Sequence, residues 1–390
     1  METLQPILKR GRDVWDQINM PKDEFLRRVE KIREEMAKKN MDVLLLYGTG
    51  VYDCGNVCYV SNYATKLTAG ILVVIPRKGE LTLFFEGSSR ELKIGQRLTW
   101  VDDIRSSLAG VFSSTGSLAG DCIKYLRESH LIPSKIGFVG LRRLMPYREF
   151  QLFIEGTKGC KIVDADSIIN KMRMKKSQRE CNQIRRASRI VSNTLNTVPG
   201  MVLANRDDRT MEAKIDWAAR LQGAEDVRIL LARPTHADWA LNPAGETPIL
   251  PGDRVMVYLT SSFERYYAEA VRTFVVGDSG FSEIKDEKIN GLYQQIVAAI
   301  KPGKSISQFY KETTGTILQK GAKHIPDYGL GNGIGLSLQE IPFFDEKDAS
   351  RFSKGMCFVL RLALQDQESG AMMIGHTICL SESGTEILTT

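Results

Sequence analysis

The sequence predicts two folded domains, a smaller α/β domain over residues 1–170 and a larger α+β domain over residues 171–390. Three observations carry this expectation. The chain has 390 residues, more than the roughly 150 that a single domain typically takes. Its first half alternates helical patterns with short apolar runs. Its second half gathers strand-like runs beside long helices without strict βαβ alternation.

In the first half, Phe25, Val29, Ile32 and Met36 recur at helical spacing, with Asp23 read as the N-cap and Asn40 as the stop. The apolar run at 43–47 is too short for a helix and reads as a buried strand. Runs at 71–75, 81–85 and 136–139 read as further strands, separated by turn signals such as PRKG at 76–79 and by a helical stretch at 122–129. The basic run KMRMKKSQRE at 171–180 reads as a solvated linker and helix face at the domain boundary, with Ser177 as the next N-cap. Beyond it, helices are expected at 177–198, 209–221 and 288–300, and strands at 228–232, 254–259, 267–276, 356–362 and 376–380.

Hydrophobic residues at 43% and charged residues at 26% match an ordinary globular protein and exclude a disordered, collagen-like or fibrous chain. A net charge of +6 is too dilute over this length to mark a nucleic-acid or membrane surface. The N-terminus lacks the apolar core of a secretion signal, and no apolar stretch reaches the roughly 18 residues of a membrane span, so a cytoplasmic protein is expected. The seven cysteines are odd in number and form no CxxC pair, which reads as reduced, buried thiols. Cys54 and Cys58, four apart, are expected in a strand-loop setting as two unrelated thiols.

Four C-terminal strings, in order and spacing, resemble the pita-bread family of creatinase, prolidase, aminopeptidase P and methionine aminopeptidase. They are LNPAGETPILPGDRVMVYLTSSFERYYAEAVRTFVVG (241–277), AAIKPGKSISQFYKETTGTILQKG (298–321), YGLGNGIGLSLQEIP (328–342), and GMCFVLRLAL with HTICLSESGTEILT (355–364 and 376–389). In the first half, MDVLL (41–45) and NVCYVSNY (56–63) resemble the domain that precedes the catalytic one in creatinase and prolidase. The resemblance implies a pita-bread C-terminal domain behind a creatinase-type N-terminal domain. It also accounts for the glycines of GLGNGIG better than a phosphate loop does, since they let backbone approach a pocket.

The family's metallopeptidases hold two divalent ions with two aspartates, a histidine and two glutamates. The resemblance puts Tyr258, Glu269, Asn332, Arg361 and Gly375 at those five positions, so one acid survives and no metal or other cofactor is expected. Arg361 carries a permanent cation and is expected to pair with Glu269. Two substrate-contacting histidines of the peptidases correspond to Leu241 and Gln339. Creatinase hydrolyses a C–N bond on this fold without metal, but through the first of those histidines.

The resemblance and these replacements together imply a metal-independent, creatinase-like enzyme for a small polar or anionic substrate, with C–N hydrolysis as the nearest precedent. Arg361 is expected to hold a carboxylate or developing negative charge, His376 or Glu269 to move protons, and Tyr258 and Asn332 to orient the substrate. Gln339, Glu340 and Arg272 complete the expected substrate contacts, with His236 standing in for the histidine absent at Leu241. The alternatives are a non-catalytic binding or scaffold protein, in which Arg361 and Glu269 only satisfy one another, and a lyase or group-transfer enzyme using the same pocket. For His376 the alternative is a hydrogen-bonded core residue. The expected partners are a small-molecule substrate and a second copy of the chain in a homodimer, with no nucleic acid and no membrane.

Overall fold

The computed structural model describes residues 14–50, 53–64, 69–109, 113, 115–129, 131, 134–140, 144–201, 207–234, 239–277, 280–366, 370–382 and 384–390. The chain divides into two compact units, Met1–Arg173 and Met174–Thr390.

The first unit opens with α1 (Lys22–Lys38), capped by the Pro21 backbone without a side-chain hydrogen bond. Asp23, expected at the cap, instead sits in the first turn with Glu24, where negative charge favours the helix N-terminus. Asn40 adopts a left-handed conformation (φ 51°) just past the helix, which turns the chain into the first strand. The strands β1 (Val43–Thr49), β2 (Gly70–Pro76), β3 (Thr82–Glu86), β4 (Asp103–Ser107), β5 (Lys135–Val139) and β6 (Lys161–Asp164) form one mixed sheet among the described residues, in the order β4-β3-β2-β1-β5-β6. Helices α2 (Gly55–Ser61), α3 (Ser89–Gly95), α4 (Leu118–Glu128), α5 (Tyr147–Gly156) and α6 (Asp166–Met174) connect or follow them. Every residue of β1 and β2 is buried, which is why these strands read as continuous apolar runs and not as alternating ones. Leu118, Cys122, Ile123 and Leu126 of α4, with Phe153 of α5, cover Val43, Leu45, Leu72 and Val74 of the sheet.

Two expectations are corrected in this stretch. Cys54 and Cys58 lie at the start of helix α2 and not in a strand-loop setting, so their four-residue spacing brings the sulfurs to 3.6 Å. The basic run is not simply solvated. Arg173 is buried with Nη1 donating to Asn56 Oδ1 at 2.6 Å, and Lys176 is buried with Nζ 2.9 Å from Glu340 Oε2.

The second unit contains α7 (Gln178–Leu195), α8 (Asp208–Leu221), β7 (Asp226–Ala232), β8 (Arg254–Phe263), β9 (Tyr266–Val276), β10 (Phe281–Glu283), α9 (Glu287–Ala298), α10 (Ile306–Gln319), β11 (Ala322–His324), β12 (Gly331–Gly333), β13 (Glu340–Phe343), β14 (Cys357–Asp366), β15 (Gly370–Ser381) and β16 (Gly384–Ile387). Ser177 caps α7 with a reciprocal capping box to Glu180, as its position before the apolar stripe predicts. The strands pair antiparallel along the path β13-β12-β14-β15-β9-β8-β7, with β10, β11 and β16 at the margins.

Four helices cover one face of this sheet. Ala187, Ile190 and Val191 of α7 and Met211 and Ile215 of α8 pack on Val255, Val257, Ala270 and Phe274. Tyr293 and Ile296 of α9 and Phe309 and Ile317 of α10 pack on Phe358, Leu360, Leu362 and Ile378. The other face, from here on the inner face, buries Ala232, Met256, Val271, Ala363, Ala371 and Met373, with Trp239, Leu241, Tyr258, Ile325 and Tyr328 half-buried at its rim. Because side chains alternate along a strand, this division assigns every residue of β8, β9, β14 and β15 to one face or the other.

Candidate functional site

The alternation places Tyr258 of β8, Glu269 of β9, and Arg361 of β14 on the inner face, and the pairing of β12 with β14 brings Asn332 beside them. Arg361 Nη1 donates to Glu269 Oε1 at 2.7 Å, and the Tyr258 hydroxyl donates to Glu269 Oε2 at 2.7 Å. Arg361 Nη2 donates to Asn332 Oδ1. The Asn332 amide nitrogen donates in turn to the carbonyls of Gly333 (2.8 Å) and Leu338 (3.0 Å), which fixes its oxygen toward the guanidinium. Glu269 is 1% exposed and Arg361 8%, so this is a buried ion pair whose desolvation is met by hydrogen bonds on both partners.

Burial alone favours a neutral guanidinium, but the Glu269 carboxylate beside it raises the Arg361 pKa above its ordinary value. Burial, and then the Glu269 charge, push the Tyr258 phenol well above its usual range. At neutral pH Tyr258 is therefore a hydrogen-bond donor and Arg361 a cation. Gly375 stands directly across the β14–β15 ladder from Arg361, and a Cβ there would lie 3.0 Å from Arg361 Cγ. The absent side chain at 375 leaves the room that the long side chain at 361 uses. Two buried polar atoms, Arg361 Nε and Thr260 Oγ1, have no hydrogen-bond partner among the described residues. Thr260 is the direct cross-strand neighbour of Glu269.

Three of the expected site residues lie elsewhere. His376 follows Gly375 on β15 and so points to the helix-covered face, where its ring meets Tyr293 of α9 edge-on at 5.2 Å. Its Nδ1 bonds the carbonyl of Thr389, which makes Nδ1 the protonated nitrogen. Burial lowers its pKa to about 4. This is the hydrogen-bonded core histidine, and the expectation of a pocket base is corrected. Arg272 lies three residues from Glu269 on the same strand and therefore on the opposite face, where Nη1 donates to Asn196 Oδ1 at 2.8 Å and stands 3.6 Å from Glu283 Oε2. Glu340 is buried against Lys176 and not against Arg361, and its Oε1 also accepts from the Ser337 backbone at 3.0 Å. Gln339 is exposed. His236 lies outside the described residues.

The rim holds two aromatic residues, Trp239 and Tyr328, that were not among the expected site residues. Trp239 and Tyr328 stack at 5.1 Å with an interplanar angle of 8°, and the Tyr328 hydroxyl accepts from the backbone of Leu241 at 3.1 Å. The usable signal was chemical. A tryptophan two residues before Leu241 and a tyrosine opening YGLGNG are large aromatics flanking pocket motifs.

A two-domain chain with a helix-backed antiparallel sheet and a polar cluster on its open face has the pita-bread architecture behind a creatinase-type N-terminal domain. The chain belongs to metallopeptidase family M24, whose pattern residues 182–382 match, and residues 28–175 match the creatinase/prolidase N-terminal domain. It is 22% identical to an Xaa-Pro dipeptidase of Pyrococcus horikoshii over 375 residues, which span 93% of this chain and 96% of that protein. The crystal structure of the prolidase from Pyrococcus horikoshii superposes with a TM-score of 0.74 at 21% identity, covering 93% of this chain and 98% of that one. An X-Pro aminopeptidase from Thermotoga maritima superposes with a TM-score of 0.73 at 19% identity, covering 93% and 97%. Among the described residues, no helix is long and apolar enough to cross a membrane.

The resident cluster does not fit a pair of divalent ions. Its single carboxylate has one oxygen on a guanidinium and the other on a phenol, and the guanidinium is a fixed cation within 3 Å of where a ligand oxygen would have to bind metal.

Proposed function

We propose that residues 171–390 form a metal-independent hydrolytic domain for a small polar or anionic molecule, with C–N bond cleavage as the reaction and residues 1–170 as its creatinase-type N-terminal domain. The observation that carries this reading is the Arg361–Glu269 pair, which supplies fixed positive charge at the inner face where the resemblance puts the family's metals. Arg361 Nε and Thr260 Oγ1 support a polar occupant, because a buried polar atom left unpaired costs about 1–3 kcal/mol. Glu269 is the carboxylate available to accept a proton, Tyr258 donates a hydrogen bond, and the Trp239–Tyr328 stack offers an apolar wall. The Xaa-Pro dipeptidase relatives favour a substrate with an amide C–N bond.

A second reading, a non-catalytic binding protein, is favoured by one feature of the same cluster: both Glu269 oxygens and both terminal nitrogens of Arg361 are already engaged. The deciding experiment assays chelator-dialysed protein against Xaa-Pro dipeptides and small guanidino and carboxylate amides, with and without added manganese. Turnover unaffected by chelator and lost in Arg361→Met supports the proposal. Turnover only with manganese overturns metal independence, and saturable binding without turnover supports the second reading. We also propose a cytoplasmic homodimer, supported for the compartment by seven cysteines free of disulfides. Light scattering at twice the chain mass checks the dimer.

A further inference from the structure

The second unit contains a cluster that the proposed function does not use. Cys181 from the first turns of α7, Cys357 at the start of β14 and Cys379 near the end of β15 converge although up to 198 residues separate them. The Cys181 and Cys357 sulfurs are 3.8 Å apart, Cys181 and Cys379 are 3.9 Å apart, and all three lie within 4.8 Å of one another. Cys357 and Cys379 are direct cross-strand partners, so the β14–β15 hairpin holds two of the sulfurs in fixed register while the helix supplies the third. The three residues are nearly inaccessible.

We propose that Cys181, Cys357 and Cys379 bind one thiophilic metal ion, zinc(II), as a three-thiolate site with its fourth position open to a neighbouring cleft. The first argument is metric. With Zn–S bonds near 2.3 Å, three sulfurs of a tetrahedron stand about 3.8 Å apart, and the thiols already hold that spacing to within the adjustment of a rotamer. The second is access. A cleft of about 490 Å³ is lined by Cys181 and Cys379 themselves, together with Lys176, Arg185, Lys354 and Glu382, so an ion and a fourth ligand can reach the sulfurs without unfolding the sheet. The third is charge. Three thiolates around a divalent ion leave a net charge of −1, and Lys176, Arg185 and Lys354 of the cleft lining stand beside it, each also paired with a carboxylate, Glu340, Glu386 and Glu382 respectively. Among the described residues, this is the grouping of cysteine, histidine and carboxylate side chains close enough to share an ion.

Binding involves no redox change. Each S–H gives its proton to the buffer as a Zn–S bond forms, so up to three protons are released per ion. The occupied site ties the start of α7 to both strands of the hairpin, and it shares no residue with the Glu269–Arg361 pair. The zinc proposal therefore does not rest on the proposed hydrolysis.

The test titrates reduced, chelator-stripped full-length protein with zinc, and with cadmium or cobalt as spectroscopic stand-ins. The expected result is one equivalent per chain, a thiolate-to-metal charge-transfer band with cadmium or cobalt, and a higher thermal midpoint with zinc. Cys181→Ser and Cys379→Ser should each lose the band, while Glu269→Gln keeps it. Should a serine variant fail to fold, alkylation mapping of the wild-type protein replaces it. Zinc should then slow the alkylation of Cys181, Cys357 and Cys379 relative to the zinc-free protein and leave the rates at half-buried Cys54 and buried Cys58 unchanged. Absence of a charge-transfer band, a band that survives Cys181→Ser, or protection confined to Cys54 and Cys58 would overturn the proposal.

Discussion

Two buried arginines of the C-terminal sheet, Arg361 on the inner face and Arg272 on the helix-covered face, meet different surroundings. Arg361 has a carboxylate at 2.7 Å, and the pKa rises despite burial. Arg272 has its nearest carboxylate at 3.6 Å, and burial wins, lowering the pKa, with Glu283 only partly opposing it. The partners differ as well. Glu269 is 1% exposed on its side chain and has nowhere to go if Arg361 leaves, whereas Glu283 is 31% exposed and can turn to water. The same residue type is thus a locked element of a buried network on one face and a tether at the edge of a helix layer on the other.

The sharpest way to break this contrast is Arg361→Met. Leaving Glu269 buried and unpaired should cost about 3–5 kcal/mol, seen as a steep fall in thermal midpoint. Adding Glu269→Gln should recover most of the loss. If the double variant is restored in stability yet screening finds no ligand that either change affects, the cluster is a structural ion pair and the hydrolytic proposal fails.

His376 extends the comparison to pH. Its folded pKa of about 4 lies below the ordinary 6.5, so folding favours the neutral ring. That contribution is complete above pH 6.5 and is lost as the pH falls through 4. A difference of that size between the folded and unfolded ring corresponds to about 3 kcal/mol. Thermal melts across this window should show the loss, and His376→Gln should flatten it. A variant that keeps its stability profile but loses turnover would return His376 to the pocket.

Arg272→Met should cost about 1 kcal/mol, since one hydrogen bond to Asn196 and a loose ion pair are removed and Glu283 regains water. A loss as large as that of Arg361→Met would erase the difference between the faces. The smallest effect belongs to Gln339→Ala. An exposed side chain outside such networks shifts stability by about 0.5 kcal/mol or less, so denaturant melts should overlay, and any loss of ligand affinity would mark Gln339 as a contact.

Much of this arrangement can be read from the chain. The apolar runs locate β1, β2, β8, β9 and β14, and the Ser177 signature starts α7 where it is expected. The resemblance also groups Tyr258, Glu269, Asn332 and Arg361 as neighbours, and the structure joins them by direct hydrogen bonds. The errors at His376 and Arg272 were avoidable in principle. A strand residue adjacent to Gly375, or three from Glu269, must face away from it. The basic run at 171–180 misled for another reason: composition cannot tell a solvated lysine from one whose carboxylate partner lies 164 residues away, as Glu340 does for Lys176.

By itself the sequence determined what is local or carried by aligned motifs: the helices and strands, the two-domain plan, and the grouping of Tyr258, Glu269, Asn332 and Arg361 in one neighbourhood. The tertiary structure alone decided that Lys176 pairs with Glu340, that His376 bonds Thr389, and that three distant cysteines share one point. Those outcomes depend on strand register and helix docking, which set distances of a few ångströms between residues far apart in the chain. Spacing along the backbone carries no record of them.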